Sequence, residues 1–173
     1  STLCGAGRAG NGIQPPTTNK KGKKMAKKTN SESVEVNWSS GPLDVALEEL
    51  GRRAVEAVGS GARIIVLSDR GTVRAPMPVV LALASVNRAL VEAGLRSSTG
   101  VIVQSGEVRE IHHFAVLLGY GATAINPYLA LESVSALFPA DPVTAASNYI
   151  KSVDKGLLKI MSKMGISTIR SYR

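Results

Sequence analysis

GVIVQSGEVREIHHFAVLLGYGATAINPYLAL, residues 100–131, carries the clearest architectural signal in this chain. A short apolar run ends at Gln104-Ser105-Gly106, and an amphipathic stretch bearing His112 and His113 follows it. That stretch stops at Gly119-Tyr120-Gly121, after which a second apolar run leads into Asn126-Pro127-Tyr128. Strand, loop, helix, glycine stop and strand is the repeating unit of parallel α/β sheets, because a parallel neighbour is reached only through a crossover. Glycine suits the turn from helix to strand, where the chain needs a left-handed residue to leave the helix.

The same unit recurs on either side. Residues 43–58 set Leu43, Ala46, Leu47, Leu50, Ala54 and Val58 at helical spacing. Glu48 and Glu49 come before Arg52 and Arg53, the order a helix dipole favours. RIIVLS, residues 63–68, is β-branched and apolar and predicts a buried strand. Pro76 and Pro78 open a helix over 78–93, since a first helical turn has no acceptor for the N–H that proline lacks. Gly94 closes it. Strands are expected over 101–104 and 122–125, and helices over 107–118, 127–137 and 143–164. The order α-β-α-β-α-β-α-α requires right-handed crossovers. Three parallel strands leave both edges bare, which is poor for a free-standing body. The expected fold class is therefore α/β, with parallel strands joined by helices as a segment of a larger sheet or βα barrel.

Composition sets the outer limits. The 44% hydrophobic content supports a packed core, whereas 4% aromatic leaves too few rings for a base-stacking platform. No apolar run approaches the roughly 20 residues that span a bilayer, so no membrane partner is expected. A single cysteine, Cys4, excludes an internal disulfide, a multi-cysteine zinc site and a self-contained iron–sulfur cluster. The net charge of +8 is concentrated early: Arg8, Lys20, Lys21, Lys23, Lys24, Lys27 and Lys28 precede residue 34, with Glu32 the only acid there. The remainder is nearly balanced. Residues 1–42 offer little to bury and are expected to form a disordered basic Gly/Lys-rich tail ahead of a folded region over 43–173. Clustered lysines bind phosphate by counterion release. Without interleaved aromatic or arginine residues, a solvated tail is the plainer reading, and nucleic acid is not the expected partner.

Several constellations invite chemistry. His112 and His113 are adjacent, so on a helix they point about 100° apart and cannot easily share one metal. The plainer reading is one packed and one rim imidazole. The 104–106 loop lies after a strand and before a helix, the placement of a phosphate cradle, although an ordinary βα turn is the plainer reading. The 68–71 loop has the same placement, and Asp69 with Arg70 reads as a catalytic pair or as a loop ion pair. Cys4-Gly5-Ala6-Gly7 looks like the start of an amino-terminal cysteine amidotransferase, but three residues precede the cysteine, so its amine cannot serve as the base. Lys159 and Lys163 suit a helix C-terminus that Gly165 caps.

GARIIVLSDRG (61–71), Pro76-Met77-Pro78, HHFAVLLGYGATAINPYLALE (112–132) and NYIKSVDKGLLKIMSKMGISTIRSYR (148–173) together resemble the central domain of the glutamate synthase large subunit. The resemblance runs from about Leu43 to Arg173. It implies a TIM-barrel-like or partial βα barrel segment lying between a glutaminase domain and an FMN-binding barrel. The enzyme of that family makes glutamate from glutamine, 2-oxoglutarate and a reductant, and ammonia passes internally between the two sites. FMN and an iron–sulfur cluster are implied for the full-length enzyme, with no catalytic, cofactor or metal residues in this region. The expected partners are the glutaminase and FMN-barrel domains of the same enzyme. His112, His113, Asn126, Lys163, Met164 and Ser167 are the candidates for interdomain contacts or a channel wall. The expected location is cytoplasmic, or a plastid for a plant-type enzyme. Where the family often carries histidines in the 78–93 helix, this chain has Val86-Asn87-Arg88-Ala89. The alternative is a small free-standing α/β protein binding a phosphate or nucleotide at 68–71 and 104–106.

Overall fold

A computed structural model of the chain describes residues 30–36, 41–71 and 76–172. Four strands, β1 (Ser31–Glu35), β2 (Ile64–Ser68), β3 (Gly100–Gln104) and β4 (Ala124–Asn126), form one sheet in the order β1-β2-β3-β4, every pair parallel. The connections are α1 (Leu43–Gly59), α2 (Val79–Glu92) and α3 (Ile111–Gly119), and β4 is followed by α4 (Tyr128–Leu137) and α5 (Pro142–Met164). When spatial order equals chain order, right-handed crossovers place the connecting helices on one face of the sheet. That is the arrangement of half a βα barrel.

Strand periodicity decides which side chains meet those helices. Val34, Val36, Ile65, Leu67, Val101 and Val103 are buried and form a core with Leu50 and Ala54 of α1 and with Ala82, Leu83 and Val86 of α2. Ile65, Leu67, Val101 and Val103 are all fully buried, each contributing about 1.5–3 kcal/mol. Gly51 lets α1 and α2 approach closely, since a Cβ there would stand 3.0 Å from Ala89 Cβ. The alternate residues Ile64, Val66 and Ile102 are half-buried and lie outside that core.

Two expectations need correction. The sheet has four strands, not three, because Ser31–Glu35 lies inside the segment read as a tail yet pairs with β2 from Ser31 opposite Ile64 to Glu35 opposite Ser68. Only Val34 and Val36 bury side chains there. An edge strand with one covered face needs no longer apolar run, and SESVEV offers none. Residues 1–29 and 37–40, the rest of the expected tail, lie outside the described residues, as does Cys4. The second correction concerns α3, which begins at Ile111 instead of 107. The four preceding residues have other contacts: Val108 is buried, and the Glu107 carboxylate accepts from Val79 N–H at 3.2 Å, serving the start of α2.

The 86–89 segment has its own structural task. Val86 is core. Asn87 Oδ1 accepts from Arg96 Nε at 2.5 Å, while the same guanidinium donates to the carbonyls of Thr99 at 2.7 Å and Gly121 at 2.5 Å. One side chain thus ties α2 to the entries of β3 and β4. Gly121 has φ +107°, and a Cβ there would lie 2.6 Å from Asn87 Oδ1, so both backbone and space require glycine.

The helix α5 is defined at both ends. Asp141 accepts from Thr144 N–H at 3.1 Å, Pro142 occupies the first turn and Gly165 closes the helix in the left-handed region. It packs on α3 in the same sense. Tyr149 donates to the Arg109 carbonyl at 2.9 Å, and a Cβ at Gly156 would stand 2.7 Å from Ile111 Cγ1. Further along, the ring of Tyr172 lies against Gly119.

Candidate functional site

Ligands of parallel sheets collect at the carboxyl ends of the strands, and the polar groups at those ends of β2, β3 and β4 bond chiefly to one another. Asp69, just past β2, is buried. It accepts from Ser105 Oγ at 2.6 Å and from Gly106 N–H at 3.1 Å. Ser105 Oγ in turn accepts from Glu107 N–H at 3.1 Å. The turn after β3 thus presents its donors to a carboxylate of the protein itself. Ser68 Oγ donates to Gln104 Oε1 at 2.7 Å across neighbouring strands.

The first turn of α4 closes over this cluster. Arg70 pairs with Glu132 at 2.8 Å, and its guanidinium stacks over the Tyr128 ring at 5.0 Å. Burial, together with the negative charge and hydrogen bond of Asp69, holds the Tyr128 hydroxyl above the usual phenol range. In place of a loop ion pair between Asp69 and Arg70, each has a partner beyond the loop: Arg70 reaches to Glu132 of α4, and Asp69 to the β3–α3 turn. Glu107, Arg109 and Glu110 were expected as helical-spacing partners of the histidines; Glu107 instead serves Val79 N–H. Tyr128 and Glu132 were given no role in the sequence.

The six candidates fall at two opposite ends of the sheet. His112 is exposed on the first turn of α3, whereas His113 is half-buried and completes a capping box with Glu110. The His113 Nδ1 accepts from Arg109 N–H at 3.2 Å and Glu110 N–H at 3.4 Å, so its role here is to hold the helix start. Asn126 ends β4, and its carbonyl accepts from Ser105 N–H at 3.2 Å. Lys163, Met164 and Ser167 are exposed at the far end of α5. Just beyond them, Arg170 shares a 650 Å³ cavity with Arg96, Thr99, Gly100 and Thr123 at the amino ends of β3 and β4. Those three residues therefore lie across the molecule from the histidines and Asn126.

Two apolar concavities flank α4 and α5. One, of 410 Å³, lies among Phe114, Leu118, Ile125, Leu131, Val153 and Leu157. The other, of 530 Å³, is formed by the α4–α5 turn at Leu137, Phe138 and Pro139, where Leu137 is 74% exposed and Phe138 60%.

The family model for the glutamate synthase central domain matches residues 13–173. The chain belongs to that family. The match starts at residue 13, well before Leu43, and so takes in β1. The large chain of NADPH glutamate synthase from Bacillus subtilis is 40% identical over 150 residues, covering 83% of this chain and 10% of its own length. The corresponding large chain of Azospirillum brasilense is 43% identical over 74% of this chain and 9% of its own length. Ferredoxin-dependent glutamate synthase 1 of Arabidopsis thaliana, named as chloroplastic/mitochondrial, is 40% identical over 76% of this chain and 9% of its own length. The chain thus spans about a tenth of the relatives it matches.

The glutamate synthase reading is favoured over the free-standing phosphate or nucleotide binder. The family match covers most of the chain, and the amides a phosphate would use at 106 and 107 already face Asp69 and Ser105. A flavin phosphate meets the same obstacle at that turn. Among the described residues no group of three or more His, Cys, Asp or Glu is placed to hold a metal ion, and none is a cysteine, so the described part does not fit an iron–sulfur cluster. No described helix is long and apolar enough to cross a membrane.

Proposed function

We propose that this chain acts as central-domain scaffold in a glutamate synthase, serving glutamate biosynthesis from glutamine, 2-oxoglutarate and a reductant without holding a complete active site itself. In this reading it stands between a glutaminase domain and an FMN-binding barrel and helps to wall the path of ammonia between them. His112, His113 and Asn126 would face one neighbour from the carboxyl side of the sheet, and Lys163, Met164 and Ser167 another from the amino side. Flavin and iron–sulfur cluster would belong to the neighbouring parts. The working compartment would be the cytoplasm, or a plastid in a plant.

The observation that carries this reading is the internal use of the polar groups at the strand ends. Asp69, which in a βα enzyme could face a substrate, is engaged by Ser105 and Gly106. A site whose donors and acceptors satisfy one another stabilises a fold and has little left with which to hold a reacting molecule. The purified chain, supplied with glutamine, 2-oxoglutarate and reduced flavin or ferredoxin, is expected to form no glutamate above the enzyme-free rate. Turnover by this chain alone would refute the proposal.

A further inference from the structure

The charges of α5 are unevenly placed. Lys151, Lys155, Lys159 and Lys163 recur every four residues, and all four are exposed. Such positions climb a helix about 6 Å apart and drift only about 40° at each step, so they form one ladder about 18 Å long. Asn148, Ser152 and Ser162 fall on the same side and are exposed too. Asp154, the only acid of α5, stands about 60° outside the ladder and lines the apolar concavity beside α3. Among the described residues none of the four lysines forms an ion pair. Arg52 of α1 and Arg88 of α2 differ, pairing with Glu49 and Glu56 and with Glu92. Like charges four apart on a helix repel and weaken it, and nothing within the described fold offsets these three repulsions. The helix is held by its other side, where Val153 and Leu157 meet the core and Gly156 lies against Ile111.

We propose that this ladder is a docking face for a separate protein that presents a row of carboxylates. Charge sets the sign of the partner, and the chemistry of the face sets its class. The ladder has no arginine to clamp phosphates bidentately and no aromatic ring on which bases could stack. The apolar side that a membrane-lying helix would insert is the one packed against α3 and the core. Carboxylates repeated about every 6 Å would meet the lysines one to one. Exposed ion pairs are individually weak and screened by salt, so such a face steers and orients its partner more than it holds it. The inference goes beyond the scaffold reading, in which Lys163 alone of the four figures.

The test titrates the 173-residue chain into a fluorescent alanine-based helical peptide with glutamates spaced four apart, read by anisotropy. This peptide is expected to bind about ten-fold more tightly than one of equal composition with its glutamates bunched at one end. Raising ionic strength from about 0.01 M to about 0.15 M should weaken it about ten-fold. Substituting Lys155→Gln and Lys159→Gln together should weaken it at least about five-fold, and should raise the thermal midpoint by about 1–5 °C as repulsion is relieved. Absent binding, or equal binding of the bunched peptide, would overturn the proposal. Binding retained by the double variant would assign it to other lysines, those of residues 20–28 included, and a lowered midpoint would make the ladder structural; either result overturns it too. A single-stranded oligonucleotide or phosphatidylserine vesicles bound more tightly than the peptide, and released by the same variant, would assign the face to nucleic acid or membrane instead. Self-association of the chain that the variant dissolves would assign it to a second copy and equally refute a separate acidic partner.

Discussion

Gly121 shows how much one position can decide. With φ +107° and Asn87 Oδ1 2.6 Å from any Cβ, Gly121→Ala is expected to lose about 1–3 kcal/mol, read from the urea midpoint. A neutral result would mean that the Asn87 and Arg96 bonds can relocate freely. The glycine was readable in the sequence as a turn, but its partner was not, because Asn87 lies 34 residues away and only the packed helix brings it near. His113 teaches the same lesson in reverse. Its place next to His112 suggested one packed and one rim imidazole, while its hydrogen bonds to Arg109 and Glu110 depend on the 105–110 loop delaying the helix. Tyr128 gives a pH prediction. Its folded pKa is raised above 10.0 by burial and by Asp69, so its contribution is fully present below about pH 10 and is lost as pH rises through the folded value. Tyr128→Phe should therefore flatten part of the stability loss seen in denaturant midpoints as pH rises above about 10. An unchanged slope would place the Tyr128 hydroxyl in water.

At the scale of elements, the strong periodic segments were legible. Residues 43–58 and 78–93 match α1 and α2 to within a residue at each end, because an apolar stripe, proline openings and glycine stops all agree. β1 was not legible, since Val34 within it and Val36 just after it bury only when β2 stands alongside. The α3–α5 contact was equally hidden: nothing in NYIKSVDKGLLKIM announces that Gly156 is where two helices touch. Gly156→Leu is expected to destabilise the chain by about 1–3 kcal/mol through overpacking against Ile111. Adding Ile111→Ala should recover part of that loss. Additive losses in the double variant, measured by denaturant unfolding, would argue against a shared contact.

For the whole molecule, the class of architecture could be read from the sequence, and so could the inference that it is a part of something larger. Both followed from the repeated βα unit and the shortage of strands. What could not be read was the two-ended distribution of candidate residues, which depends on α5 running in the same sense as α3. That helix has a further consequence. Its 23 residues bury only Val153 and Met161, whereas the five-residue strands β2 and β3 bury four side chains completely between them. Free energy of local opening follows such contacts, so α5 amides should exchange with deuterium well before those of β2 and β3, and uniform protection would disprove it. The molecule is then a rigid slab with a loosely fastened arm, and a protease would find that arm long before the slab came apart.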